Sequence, residues 1–161
     1  MHIFGYSMGG YAAICTALKH PDRISSIMTL ATVFDLSPER AQKEAAMLDP
    51  GKIELKVPSF AETLKHLHGS EKWKSLMQQT AGMMKVLGED HLHDSDFSAI
   101  TCPVRISVGD RDKMVSVESS LAVSKMIPKG SFLVLPETPH PYEQVNQDRL
   151  VFEIRSFMKN S

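Results

Sequence analysis

The segment Gly5-Tyr6-Ser7-Met8-Gly9, followed by Gly10, sets a serine between glycines at the spacing G-x-S-x-G. That pattern marks a sharp strand-to-helix turn which lifts a serine hydroxyl from the end of a strand. The flanks fit: Met1 to Phe4 reads as a short strand and Tyr11 to His20 as a helix. Such a turn holds its serine in a strained backbone conformation, and side chains at Gly5 and Gly9 are expected to collide with it. The N-terminus of the helix would aim its amides at negative charge forming beside Ser7, with the Met8 N–H as an oxyanion donor. The spacing is neither G-x-G-x-x-G nor G-x-x-x-x-G-K, so a phosphate-binding loop does not account for it.

A serine hydroxyl is a poor nucleophile without a base. His140 is the candidate, in Thr138-Pro139-His140-Pro141 after the predicted strand Phe132 to Leu135, where two prolines stiffen the loop. An acid is expected from the loop after the preceding strand, Val104 to Val108, where Gly109-Asp110-Arg111-Asp112 offers two carboxylates. Asp110 comes early enough to cap its own loop; Asp112 sits farther out, can turn back toward a histidine, and is preferred. Asp35, after the second strand, is a third candidate. The chemistry would be acyl transfer: Ser7 attacks a carbonyl carbon, His140 carries the proton, and Asp112 orients the imidazole.

These residues need a scaffold. Pro21 stops the first helix, and Arg23 to Ala31 reads as a buried strand. Residues 37 to 95 change character. Ser37-Pro38-Glu39 reads as a helix start, with Ser37 as N-cap and Pro38 at the first helical position. Asp49-Pro50-Gly51 reads as a turn. Ser59 to Leu67 and Ser70 to Leu87 show apolar residues near helical spacing. The stretch is a helical insertion, far longer than an ordinary connection. After it come the strand Val104 to Val108, a helix from Ser116 to Met126, the strand Phe132 to Leu135 and a final helix from Tyr142 to Met158. The alternation implies an α/β fold: a parallel sheet of about four strands with helices on its faces.

The 161 residues carry a net charge of -1, so the basic footprint of a nucleic-acid binder is missing. Ile24 to Phe34, the longest apolar-looking stretch, is too short and too polar to span a bilayer, and no basic leader follows Met1. Cys15 and Cys102 make no disulfide framework; buried thiols and a cytoplasmic setting are expected. His66-x-His68 and Asp90-His91-x-His93-Asp94 look metal-like, but positions two apart do not share a helix face. A polar surface is the better reading, and no metal or organic cofactor is expected. Met77, Met83 and Met84 suit helix packing, with an acyl pocket as the alternative.

Taken together, Gly5-Tyr6-Ser7-Met8-Gly9-Gly10, Ile100-Thr101-Cys102-Pro103-Val104 leading into Gly109-Asp110-Arg111-Asp112, and Pro139-His140 resemble the α/β-hydrolase superfamily, in its lid-bearing esterase-like branch. The resemblance runs over the whole chain. It implies that the Gly-x-x-Asp acid motif falls on Asp112, although some hydrolases place their acid where Asp35 stands. It also implies that a core of about 1–35 and 97–161 carries a lid over about 36–96. The substrate would be a small molecule with an apolar acyl or ester group. The family builds several strands before its serine turn, and only four residues stand there in this chain. The resemblance therefore implies an N-terminal truncation of roughly 100 residues, at some 30 per βαβ unit. The missing part would hold the second oxyanion donor, whose loss costs on the order of 10²–10³ in rate. The first strand would become a sheet edge open to homodimerisation. A catalytically silent folded or dimerising fragment is the alternative function.

Overall fold

The computed structural model describes residues 1–159 and 161. It divides into two compact units, residues 1–34 with 92–161, and residues 35–91.

The first unit is built on four parallel strands in the order β1-β2-β3-β4. They are β1 (His2–Tyr6), β2 (Ser26–Leu30), β3 (Val104–Gly109) and β4 (Gly130–Leu135). Register pairs Gly5 with Thr29, Thr29 with Ile106, and Gly109 with Leu135. All four strands run the same way, so their C-terminal ends lie along one rim. The α/β expectation, a parallel sheet of about four strands flanked by helices, is met. Every residue of β2 is buried, as a strand covered on both faces requires. One face packs Met28, Leu30 and Leu135 against Leu150 and Phe157 of the last helix, α8. β1 and β4 are the edges.

The helices of this unit are α1 (Met8–Lys19), α6 (Asp94–Ser98), α7 (Val117–Met126) and α8 (Gln147–Lys159). α1 begins at Met8, earlier than the apolar periodicity predicts, because Ser7 itself makes the turn. α8 starts at Gln147 instead of Tyr142: the Asn146 side chain caps it by accepting from the Arg149 N–H at 3.0 Å, and Tyr142–Gln144 forms a separate 3₁₀ turn. The five-residue α6 was too short to leave a periodic signal.

The second unit holds α2 (Pro38–Met47), α3 (Pro50–Lys56), α4 (Pro58–His68) and α5 (Lys72–Glu89). Its core is Ile53, Ala61, Leu64, Trp73 and Met77. Asp49-Pro50-Gly51, expected as a turn, opens α3 instead. Asp49 is its N-cap and accepts from the Lys52 N–H at 2.8 Å, while Pro50 takes the first helical position, where its missing N–H costs nothing. Ser37 precedes α2 as expected but makes no side-chain cap bond. Among the described residues no helix is long and apolar enough to cross a membrane.

Candidate active site

Ser7 joins β1 to α1 at φ 50° and ψ -121°, a conformation that residues with a side chain rarely adopt. The fold holds it there through its main chain. Its N–H donates to the Leu30 carbonyl at 2.8 Å; its carbonyl accepts from the Gly10 N–H at 3.0 Å and from Thr32 Oγ1 at 2.9 Å. Glycine is needed where α1 folds back on β1. A Cβ on Gly5 would lie 2.6 Å from the main chain of Gly9 and Gly10, and one on Gly10 would lie 2.0 Å from Thr32 Oγ1. The expected collision at Gly9 is not found: nothing lies within 4 Å of a Cβ there. The motif spells Gly9, but the packing under Thr32 needs Gly10.

Among the described residues, two others with side chains have positive φ, Ala31 at 57° and Glu137 at 53°. They follow β2 and β4 as Ser7 follows β1, so backbone strain collects along the C-terminal rim of the sheet, where functional sites store it. Met8 is the first residue of α1, and its N–H belongs to the orphan donors of a helix start.

His140 and Asp112 meet on the same rim. His140 Nδ1 lies 2.9 Å from Asp112 Oδ2. The other carboxylate oxygen accepts from the N–H groups of Met114 at 2.8 Å and Val115 at 2.9 Å. The Asp112 side chain is fully buried and that of His140 is 16% exposed. The two remaining acid candidates are occupied elsewhere. Asp110 accepts from the Thr138 N–H at 3.1 Å, and the amides of Glu137 and Thr138 hold its carboxyl below the ordinary range. Asp35 is exposed, accepts from the Ser37 N–H and lies 4.0 Å from Arg40.

The loops after β3 and β4 are zipped together. Asp110 N–H donates to the Leu135 carbonyl at 3.1 Å and Arg111 N–H to the Thr138 carbonyl at 3.2 Å. Thr138 lies so close that a Cβ on Gly109 would stand 1.9 Å from its carbonyl oxygen. This zipper fixes the stretch that carries His140. Ser7 approaches it through its neighbour: the Tyr6 hydroxyl donates to the His140 carbonyl at 2.5 Å. Among the described residues no hydrogen bond is made by the Ser7 hydroxyl itself. The sequence gives no hint of the Tyr6 contact, because its partner is a main-chain oxygen 134 positions away.

Two of the metal-like histidines, His91 and His93, have local hydrogen-bond partners. His91 Nδ1 lies 3.1 Å from the Gly88 carbonyl, and the N–H of His93 donates to Asp96 at the start of α6. Among the described residues no group of three or more His, Cys, Asp or Glu side chains is arranged to hold a metal ion. Met77 packs in the helical core, while Met83 is exposed.

A model of the Esterase family matches residues 1–95. The chain belongs to the Esterase family. No curated protein matches this esterase-family chain in sequence. Solved structures do match it in fold. An esterase from Thermogutta terrifontis superposes with a TM-score of 0.73 at 21% identity, over 99% of this chain and 65% of that one. NosK from Streptomyces actuosus gives 0.82 at 20% identity, covering 99% of this chain and 69% of that one. The meta-cleavage product hydrolase CumD from Pseudomonas fluorescens gives 0.68 at 19%, covering 99% and 65%. The fold is that of the α/β-hydrolases, and the chain spans about two-thirds of the length of these neighbours.

Proposed function

We propose that this chain hydrolyses carboxylic esters of small, apolar acyl groups through Ser7, His140 and Asp112. The observation that carries this reading is the strained turn at Ser7 on the rim where His140 Nδ1 meets a buried Asp112 carboxylate at 2.9 Å. Family membership and esterase and hydrolase neighbours support the reaction class.

With Nδ1–H given to Asp112, the imidazole presents Nε2 as the base. Ser7 Oγ loses its proton to Nε2 as it attacks the ester carbonyl. The resulting imidazolium is stabilised by Asp112 and then protonates the leaving alkoxide. Water repeats the sequence on the acyl-enzyme. The Met8 N–H, at the positive end of α1, stabilises the tetrahedral oxyanion. The helical stretch of about 36–96 is proposed as a lid. A cytoplasmic setting fits two cysteines with no disulfide between them. The open edge of β1 offers a surface for a homodimer, which light scattering in solution tests.

A fluorophosphonate probe, which bonds only to activated serines, tests the central claim. Labelling of the folded chain that disappears in Ser7→Ala is the expected result, accompanied by turnover of short-chain aryl esters. A folded sample that takes no label would overturn the reading and favour a catalytically silent domain.

A further inference from the structure

The residue before the serine does more than fill the motif. Tyr6 is the last residue of β1, half-buried against the cluster between sheet and α8. Its hydroxyl donates to the main-chain carbonyl of His140 at 2.5 Å. Its ring lies 5.7 Å from the imidazole, and the Tyr142 ring meets it edge-on at 5.3 Å and 60°. His140 is thus held at two points: Asp112 fixes its side chain, and Tyr6 fixes its main chain. Pro139 and Pro141 on either side have no N–H to donate, so among the described residues the main chain of residues 139–141 is held through its carbonyls.

We propose that Tyr6 is a positioning residue, its hydroxyl tying the His140 main chain to the strand that carries Ser7 so that nucleophile and base move as one body. The inference rests on the triad reading above. Ser7 and Tyr6 share a peptide bond, so a contact made by one transmits to the other with no flexible segment between. The other hydrogen bonds that hold the loop bearing His140 run to the Asp110–Asp112 loop and to the 3₁₀ turn that follows it, where the Gln144 N–H donates to the Pro141 carbonyl at 3.0 Å; among the described residues the Asp110–Asp112 loop makes no hydrogen bond to β1. The donor also persists across working pH. Burial pushes the phenol above its ordinary value of 10.0, and the nearby carboxylates of Glu143 and Asp112 push the same way, so Tyr6 stays protonated.

Tyr6→Phe keeps the ring and deletes one donor. A lost hydrogen bond of ordinary strength misplaces the base enough to lower kcat about tenfold. KM for a short-chain aryl ester should stay within about twofold, because the substrate loses no contact. The rate of fluorophosphonate labelling should fall as kcat does. Tyr6→Leu, which also deletes the ring, should lose no more kcat than Tyr6→Phe if the hydroxyl is what matters. The low-field proton resonance of the His140–Asp112 hydrogen bond gives a readout independent of turnover, and in Tyr6→Phe it should broaden through faster exchange with water. Wild-type kcat and an unchanged resonance in Tyr6→Phe would overturn the proposal, and so would a raised KM at unchanged kcat. If the wild-type chain takes no label at all, the hydrolase reading fails, while the resonance still decides whether Tyr6 holds His140.

Discussion

Asp112 divides its carboxylate between two tasks: Oδ2 faces His140 Nδ1 at 2.9 Å, and Oδ1 takes the N–H groups of Met114 and Val115. The same residue therefore orients the imidazole and folds its own loop. Asp112→Asn separates the tasks. Its amide oxygen can still accept from Met114 and Val115, so thermal stability should stay close to wild type. Its NH₂ group then faces Nδ1 and favours the wrong tautomer, with the proton on Nε2. Ester turnover should fall on the order of 10³–10⁴-fold. Steady-state kinetics with a melting curve on the same sample checks both halves. A modest loss of rate in a well-folded Asp112→Asn would remove Asp112 from the proposed machinery.

Asp110 stands two residues earlier and serves the zipper. The amides of Glu137 and Thr138 donate to its carboxylate, lowering its titration below the ordinary 3.8. A carboxylate lowered on folding adds stability above the unfolded value and loses it as pH falls through the folded one. The melting temperature of wild type should therefore exceed that of Asp110→Asn at neutral pH. The gap should narrow as pH is taken from about 4 downward. A gap that is constant across that range would mean that charge on Asp110 plays no part in holding the two loops.

Gly9 and Gly10 make a matched pair. Alanine at Gly10 must displace Thr32, whose hydroxyl holds the Ser7 carbonyl, so Gly10→Ala should cost about 1–3 kcal/mol of folding stability and disturb the turn. Alanine at Gly9 meets nothing within 4 Å and sits in α1, where it should be neutral or stabilising by up to about 1 kcal/mol. Chemical denaturation of the two variants gives the comparison directly. Equal losses would contradict the packing described at the turn.

The contrast between these glycines shows what the sequence could and could not reveal. The serine turn was legible because its signature, a strand, the glycines and a helix start, is consecutive in sequence, although Leu30 and Thr32, which hold it, are not. The same holds for β3, β4 and their loops, whose apolar runs and turn residues are local. The preference for Asp112 over Asp110 was legible from their distance past β3, but the partners that separate them were not. Asp110 is taken up by amides at 137 and 138 and Asp112 by His140, all about thirty residues downstream. Asp49-Pro50-Gly51 misled for a different reason. Asp-Pro serves equally as a turn and as an N-cap followed by a first helical position, and Gly51 favoured the turn. The Tyr6 contact leaves no trace in the sequence, since any residue offers a main-chain carbonyl.

Thr29 offers a test of the scaffold beneath the site. It is fully buried next to the last residue of β2, beneath the start of α1, and among the described residues its hydroxyl has no hydrogen-bond partner. A buried, unpartnered hydroxyl has given up its water and received nothing in return. Thr29→Val keeps the branched shape that β2 requires and replaces the hydroxyl by a methyl group, so no cavity opens. The variant should be more stable than wild type by about 1 kcal/mol, visible as a raised denaturation midpoint at unchanged slope. Because Thr29 makes no hydrogen bond to the turn, labelling of Ser7 should proceed at the wild-type rate. A destabilised Thr29→Val would mean that the hydroxyl is satisfied in solution, with a buried water between β2 and α1 as the natural donor or acceptor.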